Sequence, residues 1–298
     1  MMFILEERER LNFFTRALKK AAKIVLASIS QIKYTTTNLI SKKNGLTKKK
    51  RVTPFIVSLT TFPPRINRVY LTIESILHQK EKPDYVYLWL SDEEFPNKKT
   101  PANLERLKSR GLSIKFYKKN IRSYKKLIPT LIDNPSANIV TIDDDIFYPK
   151  WFLQKMIKEH KKYPKDIIAF RAHTIKIKNN KLMPYQEWMA HKKKVTRSKL
   201  LIPTGCSGIF YPRGSINKKV FDEKTFKKLC PNADDLWFKA MTLLNGRACK
   251  RVYKRNIKFI EILGSQKEAL FKKNVDGGKN NIQAQKIFKK YKLIKLLK

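Results

Sequence analysis

Three consecutive aspartates, Asp143, Asp144 and Asp145, follow the β-branched run Ile139–Ile142 in "IVTIDDDIFYP". In a strand, Asp143 and Asp145 face one side and Asp144 the other, and a bend at the strand end can bring all three to one site. Paired carboxylates facing a crevice bind a hard divalent cation, Mg²⁺ or Mn²⁺, with phosphate oxygens completing the shell. Without a cation they repel one another and their pKa values rise. A helix N-cap needs one aspartate, not three. A second acidic pair, Asp234 and Asp235, opens the helical run "NADDLWFKAMTLLNG". Carboxylates there favour the helix dipole, which explains one of them; the other is a candidate general base. In "GCSGIFYP", Gly205 and Gly208 flank small residues, and such backbone permits close approach of a ligand or a tight turn.

These groups need a frame. "FIVSLTTFPPRI" reads as an apolar strand ending at Thr60-Thr61, and "NRVYLTIESILHQ" as a helix. Tyr85–Leu90 is a strand ending in Ser91-Asp92, "NLERLKSRG" a helix stopped by Gly111, and "LSIKFYKKN" a third strand. "SYKKLIPTLIDNP" is a short helix or turn, and "NIVTIDDD" a fourth strand. Strand and helix alternate at the spacing of a parallel sheet with crossover helices, an α/β fold. Ligands bind such sheets beyond the carboxyl ends of the strands, so Thr60-Thr61, Ser91-Asp92 and the triple aspartate are expected to line one crevice. Further on, "WFLQKMIKEHKKYP" is an amphipathic helix, "DIIAFRAHTIKIKNNKLMP" a strand or hairpin turning at Asn179-Asn180, and "CKRVYKRNIKFIEIL" a strand. A basic helix runs from Asn280.

The ordered set "VSLTTFPPR", "LWLSD", "TIDDD", "TGCSGIFYP" and "NADDLWF" resembles bacterial glycosyltransferases of the GT-A fold. It is most similar to the family-two-like enzymes that build capsule, lipopolysaccharide and other surface glycans. The resemblance spans Thr53 to Tyr253. It implies a Rossmann-like, mostly parallel sheet with flanking helices and a transfer from a nucleoside-diphosphate sugar, UDP-sugars first, to a glycan or lipid-linked acceptor. Asp143 and Asp145 match the DxD motif and would hold the metal, with Asp143 and Asp144 near the donor. Thr60, Arg65, Asp92 and Lys126 match donor-side positions. Asp235 matches the base of inverting members, with Asp234 as the fallback. Gly205, Ser207 and Gly208 match the segment along the diphosphate and acceptor. Two departures stand out. The usual Asp-Gly-Ser after the second strand is "SDEEF" here, and a third metal ligand is not evident, with His173 and His191 the only candidates. Trp188 is either an acceptor-stacking platform or a core residue.

The expected organisation is a basic N-terminal helix and linker over residues 1–50, a catalytic domain over 51–265 (nucleotide half 51–150, acceptor half 151–265) and a basic helical extension over 266–298. In the first part, Phe14, Leu18, Ala22, Val25 and Ile29 recur at helical spacing among lysines, and "SKKNGLTKKKR" follows. That is either an interfacial helix with a polybasic patch for an anionic membrane surface, or a helix packed on the domain.

The chain of 298 residues is long enough for a substantial core, and its 42% hydrophobic content excludes a disordered chain. A net charge of +42 points to an anionic partner, although a lysine-rich genome composition explains the charge equally well. The competing function is a metal-dependent nuclease or nucleotidyltransferase, but the cations are spread along the chain and no nucleic-acid module is visible, so no nucleic acid is expected. A non-catalytic subunit of the same fold would be expected to have lost an aspartate. Three scattered cysteines, the absence of a long apolar run and an acidic "EERER" start predict a cytoplasmic protein, at most peripheral on the inner face of the membrane.

Overall fold

The computed structural model describes residues 5–6, 13–190, 195–265 and 278–297. Residues 7–10 of the "EERER" start, His191 and the first part of the expected C-terminal extension lie outside them.

The main sheet has eight strands: β1 (Phe55–Thr60), β2 (Tyr85–Ser91), β3 (Leu112–Tyr117), β4 (Asn138–Thr141), β5 (Ile167–Ala169), β6 (Arg197–Ser198), β7 (Ile209–Tyr211) and β8 (Cys249–Arg251). Their spatial order is β3-β2-β1-β4-β7-β5-β8-β6. Neighbours run parallel except where β7 meets β4 and β5, and where β6 meets β8. The fold is therefore mixed α/β with a mainly parallel sheet. From β1 the chain winds outward through β2 to β3, then returns to β4 on the other side of β1. The β1–β4 junction is the topological switch point, where a parallel sheet opens a crevice at its carboxyl edge.

The strands read as nearly continuous apolar runs because helices cover both faces. Val57, Leu59, Leu88 and Leu90 face the cluster formed with α2 (Val69–Leu77), α3 (Ala102–Lys108) and α5 (Phe152–Lys162). Their alternates Ile56, Tyr87, Trp89 and Ile139 face the other cluster. There they meet α4 (Ile128–Asp133), α6 (Tyr185–Ala190), α8 (Asp234–Leu244) and α9 (Lys279–Lys290). In α8 every residue from Leu236 to Leu243 is buried, so its first turn is held firmly at the crevice. α7 (Glu223–Leu229) packs beside α9.

Most of the expected elements are present with small shifts of boundary. Asn179 and Asn180 form the turn of a short hairpin, both with positive φ (48° and 55°), as a two-residue turn of that type requires. The segment from Cys249 to Leu263, expected as one strand, is broken into the short strands Cys249–Arg251, Ile257–Lys258 and Ile260–Glu261, and Asn232, just before α8, does not cap it. The cap position is Ala233, without a side-chain hydrogen bond, and the Asn232 amide oxygen accepts from Arg122 instead.

The N-terminal helix α1 (Phe13–Ile40) lies on α2 and α3. Its inner face, Ala27, Ser30, Tyr34 and Asn38, is buried. Asn38 is clamped near its end: its Nδ2 donates to Asn103 O at 2.9 Å, and Arg106 donates to its Oδ1 at 3.0 Å. Among the described residues, no helix is long and apolar enough to cross a membrane.

Candidate functional site

The parallel register pairs Ser58 of β1 with Thr141 of β4. Three residues further along each chain, past the strand ends, come Thr61 and Asp144. Register alone therefore brings them level, and Thr61 Oγ1 donates to Asp144 Oδ2 at 2.5 Å. The Thr60 side chain instead donates to Trp89 O at 2.8 Å and ties β1 to β2. Of the threonine pair, the second one reaches the aspartates.

The Pro63–Arg65 turn after β1 folds Arg65 back over the same edge. Its NH1 lies 2.7 Å from Asp144 Oδ1 and 3.1 Å from Asp145 Oδ2, and its NH2 donates to Ser265 O at 2.8 Å. The Asp143 backbone N–H donates to the Tyr148 hydroxyl at 3.1 Å, which bends the chain as it leaves β4. Burial raises the Asp144 pKa despite Arg65 and Thr61. Asp145 rises to about 7, through burial first and then the charge of Asp144; Arg65 opposes this, while Asp143 and Glu261 add to it.

The second half of the site arrives because β7 runs antiparallel to β4. The segment entering β7, Gly205–Ser207, must lie where β4 leaves. Gly205 N–H donates to Asp235 Oδ2 at 3.0 Å. A Cβ at Gly205 would sit 2.7 Å from Lys126 Nζ, 3.3 Å from Asp143 Oδ1 and 3.4 Å from Asp235 Oδ1. The metal-type cluster and the acidic pair thus meet across one glycine, and any larger residue would intrude between them.

Lys126 stands between the two acidic groups, 3.1 Å from Asp143 Oδ1 and 2.9 Å from Asp234 Oδ2. Burial alone would lower its pKa, but Asp143, Asp234 and Asp235 outweigh it and hold the ammonium charged. The pair at the start of α8 is thereby divided. Asp234 is ion-paired. Asp235 keeps Oδ1 without a hydrogen-bond partner, buried yet close to the gap at Gly205. Its pKa rises to about 7, through burial and then the charge of Asp234; Lys126 and the Gly205 N–H pull the other way. A carboxyl group near neutrality can take up and release a proton at physiological pH.

Other expected residues are engaged within the fold. The Ser207 hydroxyl donates to Ile257 O at 2.7 Å. Gly208, at φ 77°, is required by a left-handed turn pressed against Phe152. Trp188 is fully buried, donates to Met183 O and packs against Tyr185 and Phe288, so it is a core residue and not an acceptor platform. Asp92 lies beyond β2 with Lys98 3.6 Å away. His173 is buried with its ring against Tyr185.

The sequence reading missed three neighbours. Tyr148 supports Asp143. Tyr211, with its hydroxyl buried and unpartnered, lies within the electrostatic reach of Asp235. Arg171 donates to Thr204 Oγ1 at 2.9 Å beside Gly205. The Tyr211 signal was present in "GIFYP", three residues past Gly208 at the end of the short strand; the other two depend on chain folding.

Among the described residues, no group of three or more His, Cys, Asp or Glu side chains is arranged to hold a metal ion. Asp143 and Asp145 turn to Lys126 and Arg65 instead. The donor chemistry nevertheless fits a hard divalent cation. Its donors are carboxylate oxygens, and Asp143, Asp144 and Asp145 crowd together beside Arg65, with burial first and then the charge of Asp144 raising the Asp145 pKa.

No family model matches the chain, and no curated protein matches it. Solved structures similar to it include residues 1–349 of TarS from S. aureus, alone and in complex with UDP. Each shows 13% identity over 68% of this chain and 59% of that one, with a TM-score of 0.43. Another is the mannosyltransferase PcManGT from Pyrobaculum calidifontis in complex with GDP-Man and Mn²⁺, with 14% identity, 78% and 64% coverage and a TM-score of 0.41. The chain spans less than two thirds of the length of each. Likenesses this distant carry no argument about the site, whose reading rests on its geometry.

Proposed function

We propose that this chain is a glycosyltransferase of the GT-A type. In this reading it moves a sugar from a nucleoside-diphosphate donor, a UDP-sugar first, to a hydroxyl of a glycan or lipid-linked acceptor, with inversion, in surface polysaccharide synthesis. The observation that carries the reading is the Gly205 junction. There a carboxylate with an unpartnered oxygen and a pKa of about 7 lies beside an aspartate cluster at the switch point of a parallel sheet.

Asp143 and Asp145 would hold Mn²⁺ or Mg²⁺, which when bound supplies positive charge against the departing diphosphate. The chain's own groups do the rest. Asp235 Oδ1 accepts the proton of the acceptor hydroxyl as that oxygen bonds to the anomeric carbon. The bond from that carbon to the diphosphate oxygen breaks, and the diphosphate leaves with the electron pair. Gly205 N–H, donating to Oδ2, orients the carboxylate so that Oδ1 faces the gap. Lys126 keeps Asp234 occupied in an ion pair, leaving Asp235 as the group able to take a proton. Arg65 screens Asp144 and Asp145 from each other. A base of this strength is modest, so positioning must supply much of the acceleration.

The test is a thermal-shift panel of UDP-, GDP- and dTDP-sugars with and without Mn²⁺. A ligand that binds the native state raises Tm by mass action. A shift that needs both metal and nucleotide sugar is expected. No shift with any nucleotide sugar, alongside a salt-sensitive shift with DNA or RNA, would overturn the reading.

A further inference from the structure

The apolar stripe legible in the N-terminal sequence does not face the fold. Leu18 (69% exposed), Val25 (55%), Ile29 (56%) and Ile32 (68%) recur at helical spacing along one side of α1. At 3.6 residues per turn, that side lies roughly opposite the buried side of Ala27, Ser30, Tyr34 and Asn38. Leu39 and Ile40 extend the stripe at the far end of the helix, both exposed. From residue 17 to residue 25 every position is exposed, so the helix projects beyond the body it is clamped to. A row of large aliphatic side chains in water on a folded protein marks a docking surface.

We infer that this outer face of α1 docks the protein on an anionic lipid bilayer. Charge selects the occupant. α1 contains no aspartate or glutamate; its ionisable side chains other than Tyr34 are Arg16, Lys19, Lys20, Lys23 and Lys33. The linker after it adds the exposed Lys48, Lys49 and Lys50. An apolar stripe on a helix whose charged side chains are all cations fits a surface of hydrocarbon under anionic headgroups. A second copy of the chain fits poorly, since each copy would bring a net charge of +42 and the same lysines to the contact. The anchoring also suits a surface. Asn38 is held by Asn103 and Arg106, and Tyr34 stacks on Phe147, so α1 would present its stripe as a rigid strut. This docking stands independently of the catalytic reading.

The experiment is co-sedimentation of the full chain with phosphatidylcholine vesicles, with and without phosphatidylserine, at physiological salt. Two variants are compared. One carries Leu18→Gln, Val25→Gln, Ile29→Gln and Ile32→Gln; the other carries Lys19→Gln, Lys20→Gln and Lys23→Gln. All seven positions are exposed, so both variants should keep the wild-type Tm. Wild type should bind the phosphatidylserine vesicles and lose binding as salt rises. The lysine variant should bind about a hundredfold more weakly, at roughly fivefold per cation, and the stripe variant should fail to sediment. Equal binding by wild type and the stripe variant, or no binding by wild type, would overturn the inference. So would a concentration-dependent dimer, seen by light scattering, that only the stripe variant dissolves.

Discussion

Replacing Asp235 by asparagine should separate catalysis from stability in opposite directions. Asparagine has the same shape, and its oxygen can still accept from Gly205 N–H, so the local frame should persist. What disappears is the base and a poorly tolerated charge. The carboxyl pKa is raised from 3.8 to about 7, burial and Asp234 being the leading causes. A raised folded pKa means the folded protein holds this proton where the unfolded chain has lost it. Stability from this group is therefore fully present below about pH 4, falls between about 4 and 7, and stays low above. Three pH units correspond to about 4 kcal/mol; because the residue opens towards the crevice, about 2–4 kcal/mol is the realistic range. Asp235→Asn should thus match wild type near pH 4 and melt about 3–6 °C higher at pH 8. Turnover of the metal-supported donor should drop roughly 10²–10⁴-fold, with donor affinity nearly unchanged. Calorimetry across pH and a diphosphate-release assay read the two arms. A variant less stable than wild type at pH 8 would refute the buried-charge reasoning, and full turnover would refute the assignment of Asp235 as the base.

Two further outcomes follow from the same geometry. Gly205→Ala adds a methyl group 2.7 Å from Lys126 Nζ; the flexible lysine can yield, so Tm should barely move while turnover falls about a hundredfold through misplacement, and wild-type turnover would show that the Gly205 gap is not where reaction occurs. Lys239, buried in α8, has its pKa lowered to about 8 by burial, so stability should rise as pH climbs from about 8 to 10.5, where only the unfolded chain still holds the proton. Lys239→Met should therefore raise Tm at pH 7, by an amount equivalent to about 3 kcal/mol, and should flatten that alkaline rise; an unchanged Tm at pH 7 would mean that water or an anion reaches the ammonium group.

Much of this protein was determined by its sequence alone. Apolar runs alternating with helical periodicity set the element order, because a strand buried on both faces and a helix with one apolar stripe leave different patterns. Asn179-Asn180 wrote its own turn, since asparagine tolerates the left-handed backbone that the turn needs. Asp143, Asp144 and Asp145 followed a β-branched run, which put them at a strand end before any partner was known. What lay across from them was decided only by tertiary structure. The β1–β4 register brought Thr61, not Thr60, level with Asp144. The antiparallel entry of β7 carried Gly205 to Asp143, and Lys126 then chose Asp234 over Asp235 as its partner. Periodicity groups Leu18, Val25 and Ile29 on one side of a helix, yet it could not say that this side points to solvent; nor could it send Trp188 into the core. Local patterns record which residues share a face. Which way that face turns depends on partners far along the chain, and those pairings exist only once the sheet has formed.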